Sequence, residues 1–222
     1  MTLTVEASSQ RAYRNALDEF FVTVDYDIAH MSPGRLYING QYMFCYIYAS
    51  EKVEWEYGIE SLDNTIHIVT GYPFWITERK YSFYPESPSN SDGSRDYPYG
   101  YPYGYKTTGI REYLTNTHYS PVPFTMQIFG PCINPRIEIN KHVYEVLVTL
   151  QKDEYLDICA LVDKHTVYKI KRNGEQINCF NLRNWKSSLF EPIPEDVSTV
   201  EWDGSFGFDI TLFEERSEPR WT

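Results

Sequence analysis

Alternating apolar and polar residues mark the second half of the chain. The run 206–212 places Asp209 and Thr211 between apolar side chains, and the run 142–150 repeats this period of two. Such a period predicts strands with one buried face, because successive side chains of a strand point to opposite sides. The predicted inward faces consist of Tyr144, Val146, Val148 and Leu150 in one strand and of Phe206, Phe208, Ile210 and Leu212 in the other.

The period changes near the start of the chain, where the segment Ser8 to Phe21 favours a helix. Ser8 or Ser9 can cap its first turn, because a serine hydroxyl accepts a hydrogen bond from a free backbone N–H there. One face of this helix would carry Tyr13, Leu17 and Phe20. No other segment predicts a helix with comparable strength.

Turn signals divide the rest of the chain into short strands. Asn39-Gly40 and Asn173-Gly174 each stand between two β-rich runs, and Asn-Gly suits a hairpin because both residues accept positive φ. Strands separated by turns, with no helical period between them, predict an antiparallel sandwich or barrel. We therefore expect a mainly β fold, with a β-rich N-terminal domain carrying one helix over 1–122 and an antiparallel β-sandwich over 123–222.

A tyrosine, proline and glycine-rich segment occupies the end of the predicted N-terminal domain, within 85–122. In an extended backbone its alternating tyrosines project to one side, and its prolines exclude a central strand. Two interpretations remain open: an ordered loop that folds back on its own domain, or an arm that contacts a neighbouring subunit. The predicted contact residues of such an arm are Tyr97, Tyr99, Tyr101, Tyr103 and Tyr105.

Composition narrows the classes of function. The net charge of -11 opposes binding to nucleic acid or to anionic lipid, both of which select basic surfaces. No apolar run approaches the ~18 residues that span a bilayer, and the first residues lack the pattern of a secretory signal. We expect a soluble protein made in the cytosol. Its four scattered cysteines are predicted to be free and buried, and its 20 tyrosines are typical of a contact surface.

Motifs for catalysis, metal or cofactor binding are absent from the sequence. The five histidines, at positions 30, 67, 118, 142 and 165, stand far apart. The acidic pairs Asp25 with Asp27 and Glu214 with Glu215 could form a glycosidase centre, although a solvated face is the simpler interpretation. The sequence thus predicts no enzyme, no cofactor and no metal. A carbohydrate-binding module is the alternative, if some of the five tryptophans are exposed; we expect most of them in the core: Trp55, Trp75, Trp185, Trp202 and Trp221.

Several motifs after Gly71 resemble the distal tail proteins of siphophages. They are GYPFWITERKYSF (71–83), the tyrosine-proline-glycine repeat, FTMQIFGPCINPRIEIN (124–140), DEYLDI (153–158), NGEQINCFNLRN (173–184), LFEPIP (189–194) and FDITLFEERSEPRW (208–221). This resemblance implies an N-terminal belt domain, whose copies pair side by side, and a galectin-like C-terminal β-sandwich. It further implies a ring, usually a hexamer, at the distal end of the tail. Such a ring joins the tail tube protein to the tail-tip hub and to receptor-binding or baseplate proteins of the virion.

The two interpretations of the tyrosine-rich segment make different predictions. If 96–105 is an arm on a sister subunit, its deletion should reduce the oligomer mass measured by light scattering, because contact area between subunits is lost. An unchanged oligomer would favour the loop that folds back on its own domain.

Overall fold

The computed structural model describes residues 2–6, 8–52, 61–85 and 110–220, with the backbone alone at 2–6, 52 and 61–64. The mainly β fold predicted from the sequence is confirmed. The described residues contain one α-helix, α1 (Gln10–Ala29), and a short 3₁₀ helix (Phe180–Leu182). The strands are β1 (Thr2–Glu6), β2 (Gly34–Ile38), β3 (Gln41–Lys52), β4 (Ser61–Val69), β5 (Trp75–Phe83), β6 (Ile110–Asn116), β7 (Phe124–Phe129), β8 (Cys132–Ile133), β9 (Arg136–Ile139), β10 (His142–Glu145), β11 (Thr149–Leu150), β12 (Tyr155–Leu161), β13 (Lys164–Ile170), β14 (Gln176–Asn178), β15 (Asp196–Trp202) and β16 (Phe208–Arg216).

The chain divides into two compact units, one of residues 1–77 with 215–222 and one of residues 78–214. These limits differ from the predicted domains 1–122 and 123–222. Strand β6 falls in the predicted arm 85–122, yet it pairs along its whole length with β15 of the second unit. At the other end, the backbone of Arg220 exchanges hydrogen bonds with the side chain of Gln41 in the first unit. Such long-range pairings are invisible to a boundary drawn from composition.

Helix α1 is longer than the sequence pattern predicts. Its start agrees with prediction, since the Ser9 hydroxyl accepts a hydrogen bond from Ala12 N–H at 3.3 Å. The helix was expected to end at Phe21 but continues to Ala29. No proline or glycine interrupts 22–29, so the β-branched residues there lower helix propensity without ending the helix. Of the predicted inward face, Tyr13 and Leu17 are buried and Phe20 is half-buried.

The sheet of the first unit has the strand order β1-β4-β3-β5, with β2 also paired to β3. The hairpin predicted at Asn39-Gly40 is confirmed, because β2 pairs with β3 and the two turn residues have φ values of +48° and +75°. This is the two-residue turn whose twist matches that of the flanking strands. Met43, Cys45 and Trp75 form a small apolar cluster in this unit.

Two antiparallel sheets form the second unit. One has the order β16-β7-β12-β13-β14 and the other the order β10-β9-β15-β6, while β8 and β11 form a short separate pair. The inner faces of both sheets contribute to one continuous core, which agrees with the predicted sandwich. Residues with less than 2% exposure in this core include Leu114, Phe124, Met126, Ile128, Ile137, Ile139, Leu156, Ile158, Phe208, Ile210 and Leu212.

The predicted strands of the second half have different outcomes. In β16, Phe208, Ile210 and Leu212 are buried and alternate with partly exposed residues, as predicted. The predicted continuous strand 142–150 is wrong: β10 pairs with β9, and β11 pairs with β8. The alternation of burial persists across the break, but the pairing partner bends between β8 and β9, where Asn134 has φ +49°. The chain therefore leaves β9 after Glu145 and pairs with β8 from Thr149.

The remaining local predictions hold. The hairpin at Asn173-Gly174 is confirmed between β13 and β14, with Lys171 N–H donating to Glu175 C=O at 2.9 Å and Gly174 at φ +83°. This is a three-residue loop, in contrast to the first hairpin. The cysteines are free and buried, as predicted, and they are Cys45, Cys132, Cys159 and Cys179.

Gly130 lies where a side chain has no room. A Cβ atom on Gly130 would overlap the carbonyl oxygen of Gln151. We expect Gly130→Ala to destabilise the protein by about 1 to 3 kcal/mol, because backbone must move to relieve the overlap. Chemical denaturation measures this change. Gly71→Ala is the matched control, since nothing surrounds a Cβ at that position; equal stability of the two variants would contradict the prediction.

Candidate assembly surface

The charges of helix α1 run against its own dipole. Arg11 and Arg14 lie near the N-terminus, whereas Asp25 and Asp27 lie near the C-terminus. A helix favours the opposite order, because its N-terminus carries partial positive charge and its C-terminus partial negative charge. Within this fully described helix, the first turn has no acidic residue and the last turn no basic one. Helix stability therefore does not account for the order of these charges.

The C-terminal half of α1 and the turn after it expose apolar side chains. Val22 is 68% exposed, Tyr26 61%, Ile28 46% and Met31 87%. In contrast, the buried contacts of the helix, Tyr13 and Leu17, lie in its N-terminal half. Val22 and Tyr26, four residues apart, share one face of the helix, and exposed apolar groups on one face can mark a surface that another molecule covers. We call the exposed residues Val22, Tyr26, Ile28 and Met31 the α1 patch.

An open groove of about 660 Å³ runs between α1 and the strands β2 and β3. Its lining is mainly apolar, and Glu19 and Asp27 add two carboxylates; the apolar side chains include Phe20, Val24, Leu36 and Ile47. A second hollow of about 270 Å³ lies where Phe21 and Ile28 of α1 face β3. The C-terminal half of α1 therefore leaves space for apolar side chains against the sheet.

The groove places a cysteine thiol beside a carboxylate. Burial raises the pKa of the Cys45 thiol, and the negative charge of Asp27 raises it further. The thiol thus stays protonated near neutral pH and is a poor nucleophile. Beside the groove, the Arg35 guanidinium stacks over Tyr42, with its Cζ 4.6 Å from the ring centre. This contact fixes an aromatic wall of the first unit.

The acidic pairs considered from the sequence do not form carboxylate centres. Asp25 and Asp27 are two residues apart on α1, a spacing that turns side chains away from each other. Glu214 is buried and accepts hydrogen bonds from Arg79 Nε at 2.5 Å and Thr117 Oγ1 at 2.9 Å. Glu215 accepts one from the Tyr72 hydroxyl at 2.6 Å. Each glutamate is therefore engaged in its own local contacts.

The tyrosines predicted as a subunit-contact arm, Tyr97, Tyr99, Tyr101, Tyr103 and Tyr105, lie outside the described residues. Within the described part of the chain, no group of three or more His, Cys, Asp or Glu side chains could hold a metal ion. No helix there is long and apolar enough to cross a membrane.

The tryptophans divide between core and surface. Trp75 and Trp202 are buried, as expected, whereas Trp185 is 70% exposed; Trp55 and Trp221 lie outside the described residues. Trp185 stacks on one side against Arg183, whose Cζ lies 3.6 Å from the ring centre. Sequence reasoning missed this arrangement. The sequence offers one signal for it: Arg183 and Trp185 stand two residues apart in a segment rich in asparagine, which is typical of a loop.

Structural comparison finds phage tail components with the same fold. The Dit protein of phage SPP1, described as a paradigm of the hub adsorption apparatus in phages that infect Gram-positive bacteria, matches with TM-score 0.54 and 8% identity over 97% of this chain and 77% of that one. A baseplate chain of phage P2 in the activated conformation with Ca matches with TM-score 0.53 and 11% identity, covering 98% and 79% of the two chains. The form with Sr gives TM-score 0.51 and 11% identity, covering 99% and 80%.

These similarities confirm the predicted resemblance to distal tail proteins at the level of the fold. What they establish for this chain is the fold, the β-rich architecture of these Dit and baseplate chains. Comparisons with protein-family models and with curated protein sequences give no match.

Proposed function

We propose that this chain is a structural protein of a phage or prophage tail that assembles with copies of itself at the distal tail tip. The fold that it shares with the SPP1 Dit protein and the P2 baseplate chain supports a role in the adsorption apparatus. The observation that carries assembly is helix α1, which combines an exposed apolar patch with charges ordered against its own stability. Features that cost local stability are typical of functional surfaces.

A closed ring has one kind of interface repeated around its axis, so each subunit presents two different complementary surfaces. The α1 patch and the neighbouring groove form one such surface. On the opposing copy, basic groups would meet Asp25 and acidic groups would meet Arg11. The tyrosine-rich segment around Tyr101 is our candidate for a contact arm. By analogy with the predicted family we propose six copies in the ring.

The proposed ring lies in the virion tail, between the tail tube protein and the tail-tip hub with its receptor-binding or baseplate proteins. The net charge of -11 suits this position, because acidic residues in the lumen would repel DNA during its passage. We propose no catalytic role. The buried, protonated thiol of Cys45 and the engaged carboxylates of Glu214 and Glu215 support this view.

Carbohydrate binding is a second candidate function, independent of assembly. One observation favours it: the broad exposure of the Trp185 ring on the second unit. An exposed aromatic ring can stack on the apolar face of a sugar, whereas the buried Trp75 and Trp202 cannot.

A charge within the α1 patch should block assembly without unfolding the protein. We expect Val22→Glu to shift the oligomer toward monomer in size-exclusion chromatography with light scattering, because the carboxylate would lose water in the interface. Val162→Glu is the matched control: Val162 is 67% exposed against 68% for Val22, but it lies in the turn between β12 and β13. If Val22→Glu assembles like the unchanged chain, or the unchanged chain stays monomeric at high concentration, the proposal fails.

Reversing a charge on α1 should separate assembly from stability. Arg11→Glu places an acidic group in the first turn of the helix, which should raise stability by about 0.3 to 1 kcal/mol. The same change should weaken assembly, because the basic group offered to the opposing copy is lost. Thermal unfolding and light scattering on one sample measure both effects. A variant that gains stability and still assembles fully would show that the charge order has no role between subunits.

A further inference from the structure

Arg183 lies between two aromatic rings on the surface of the second unit. Its Cζ is 3.9 Å from the ring centre of Phe180 and 3.6 Å from that of Trp185. The stack continues through Phe190, 5.7 Å from Phe180, to His165, 4.5 Å from Phe190 and nearly parallel to it at 2°. Phe180 and Phe190 also pack on the apolar core. The ladder thus connects an exposed tryptophan to the core.

The backbone around Trp185 is held by the neighbouring strand. Leu147 N–H donates to Leu182 C=O at 2.7 Å, and Asn184 N–H donates to Glu145 C=O at 3.0 Å. The Asn184 side chain donates to Glu145 Oε2 at 2.6 Å and accepts from Lys186 N–H at 2.9 Å. Trp185 therefore combines 70% exposure with a fixed position. A ligand that stacks on its outer face would pay little entropy for ordering it.

The polar groups beside the ring are mainly donors. Arg183 uses Nη1 to donate to Phe180 C=O at 2.6 Å, while Nη2 and Nε have no acceptor among the described residues. Because both faces of the guanidinium are covered, its remaining N–H groups point outward in the plane, the geometry that carboxylate and phosphate oxygens prefer. Lys186, the residue after Trp185, is exposed. Two cations thus flank an aromatic surface on a chain with net charge -11.

We propose that Arg183, Trp185 and Lys186 form a binding site for an acidic saccharide. The sugar ring stacks on the outer face of Trp185. A carboxylate or phosphate on the sugar accepts hydrogen bonds from Arg183 and is attracted by the positive charge of Lys186. This site rests on carbohydrate binding as the second candidate function and gives its ligand class. It does not depend on ring assembly.

Two oligosaccharides that differ in charge test the proposal on the full chain. One is a hyaluronan tetrasaccharide, in which glucuronate alternates with N-acetylglucosamine; the other is neutral chitotetraose, built from N-acetylglucosamine alone. The NMR signal of the Trp185 indole N–H, assigned from its loss in Trp185→Ala, reports binding, while the buried Trp75 and Trp202 are internal references. Glucose 6-phosphate against glucose provides the same comparison for phosphate.

We expect the Trp185 signal to shift with the acidic probes, with affinity roughly tenfold above that for the neutral ones. Lys186→Gln should reduce this preference and leave the spectrum of the fold unchanged, and Val162→Glu should have no effect. Equal affinity for acidic and neutral probes would overturn the acidic class but leave carbohydrate binding standing. If no probe shifts the signal, or if calorimetry shows full affinity in Trp185→Ala, both the acidic ligand class and carbohydrate binding at this site are overturned. Neither result would test the proposed assembly.

Discussion

The contact on which the second unit depends is the packing of Phe208 between Phe83 and Trp202. The Phe208 ring stacks on Phe83 with centres 4.7 Å apart and meets the edge of Trp202 at 5.2 Å. Trp202 in turn donates its indole N–H to Phe206 C=O at 3.0 Å. Phe83 on β5 lies more than 100 residues before Trp202 and Phe208, which end β15 and begin β16. Each of the three side chains buries a large apolar area. The two sheets can close on a single core because these rings fill the space between them.

Buried polar groups complete this core where the strands end. The Asn116 amide donates to the carbonyls of Ser120, Ile193 and Pro194, and its oxygen accepts from His118 N–H. One side chain thus satisfies the backbone of two loops that would otherwise lose water without a partner. Arg79 and Glu214 play a similar part inside the second unit, where a charge pair with 1% exposure at the glutamate depends on both partners. Such groups fix one arrangement of loops.

The first unit is organised differently. Helix α1 buries only Tyr13 and Leu17 fully, leaves a groove against β2 and β3, and exposes the α1 patch. In a domain that needs no partner, these apolar side chains would face the core, and the charged residues of α1 would be placed to stabilise the helix dipole. This arrangement is the basis of our proposal that a second copy of the chain covers α1. In the second unit the exposed feature is the stack of Arg183 on Trp185, for which we propose a ligand.

The sequence by itself determined the elements whose cause is local. The Ser9 cap, the Asn39-Gly40 turn and the alternation in β16 follow from hydrogen-bonding groups, permissive φ values and side-chain period, which neighbours in the chain supply. Tertiary structure alone decided the break after β10, the pairing of β6 with β15, the two compact units and the exposure of Trp185. Each of these depends on which distant segment packs against it. Contacts between distant segments produce no periodic pattern in the sequence of either segment, so the sequence alone does not reveal them.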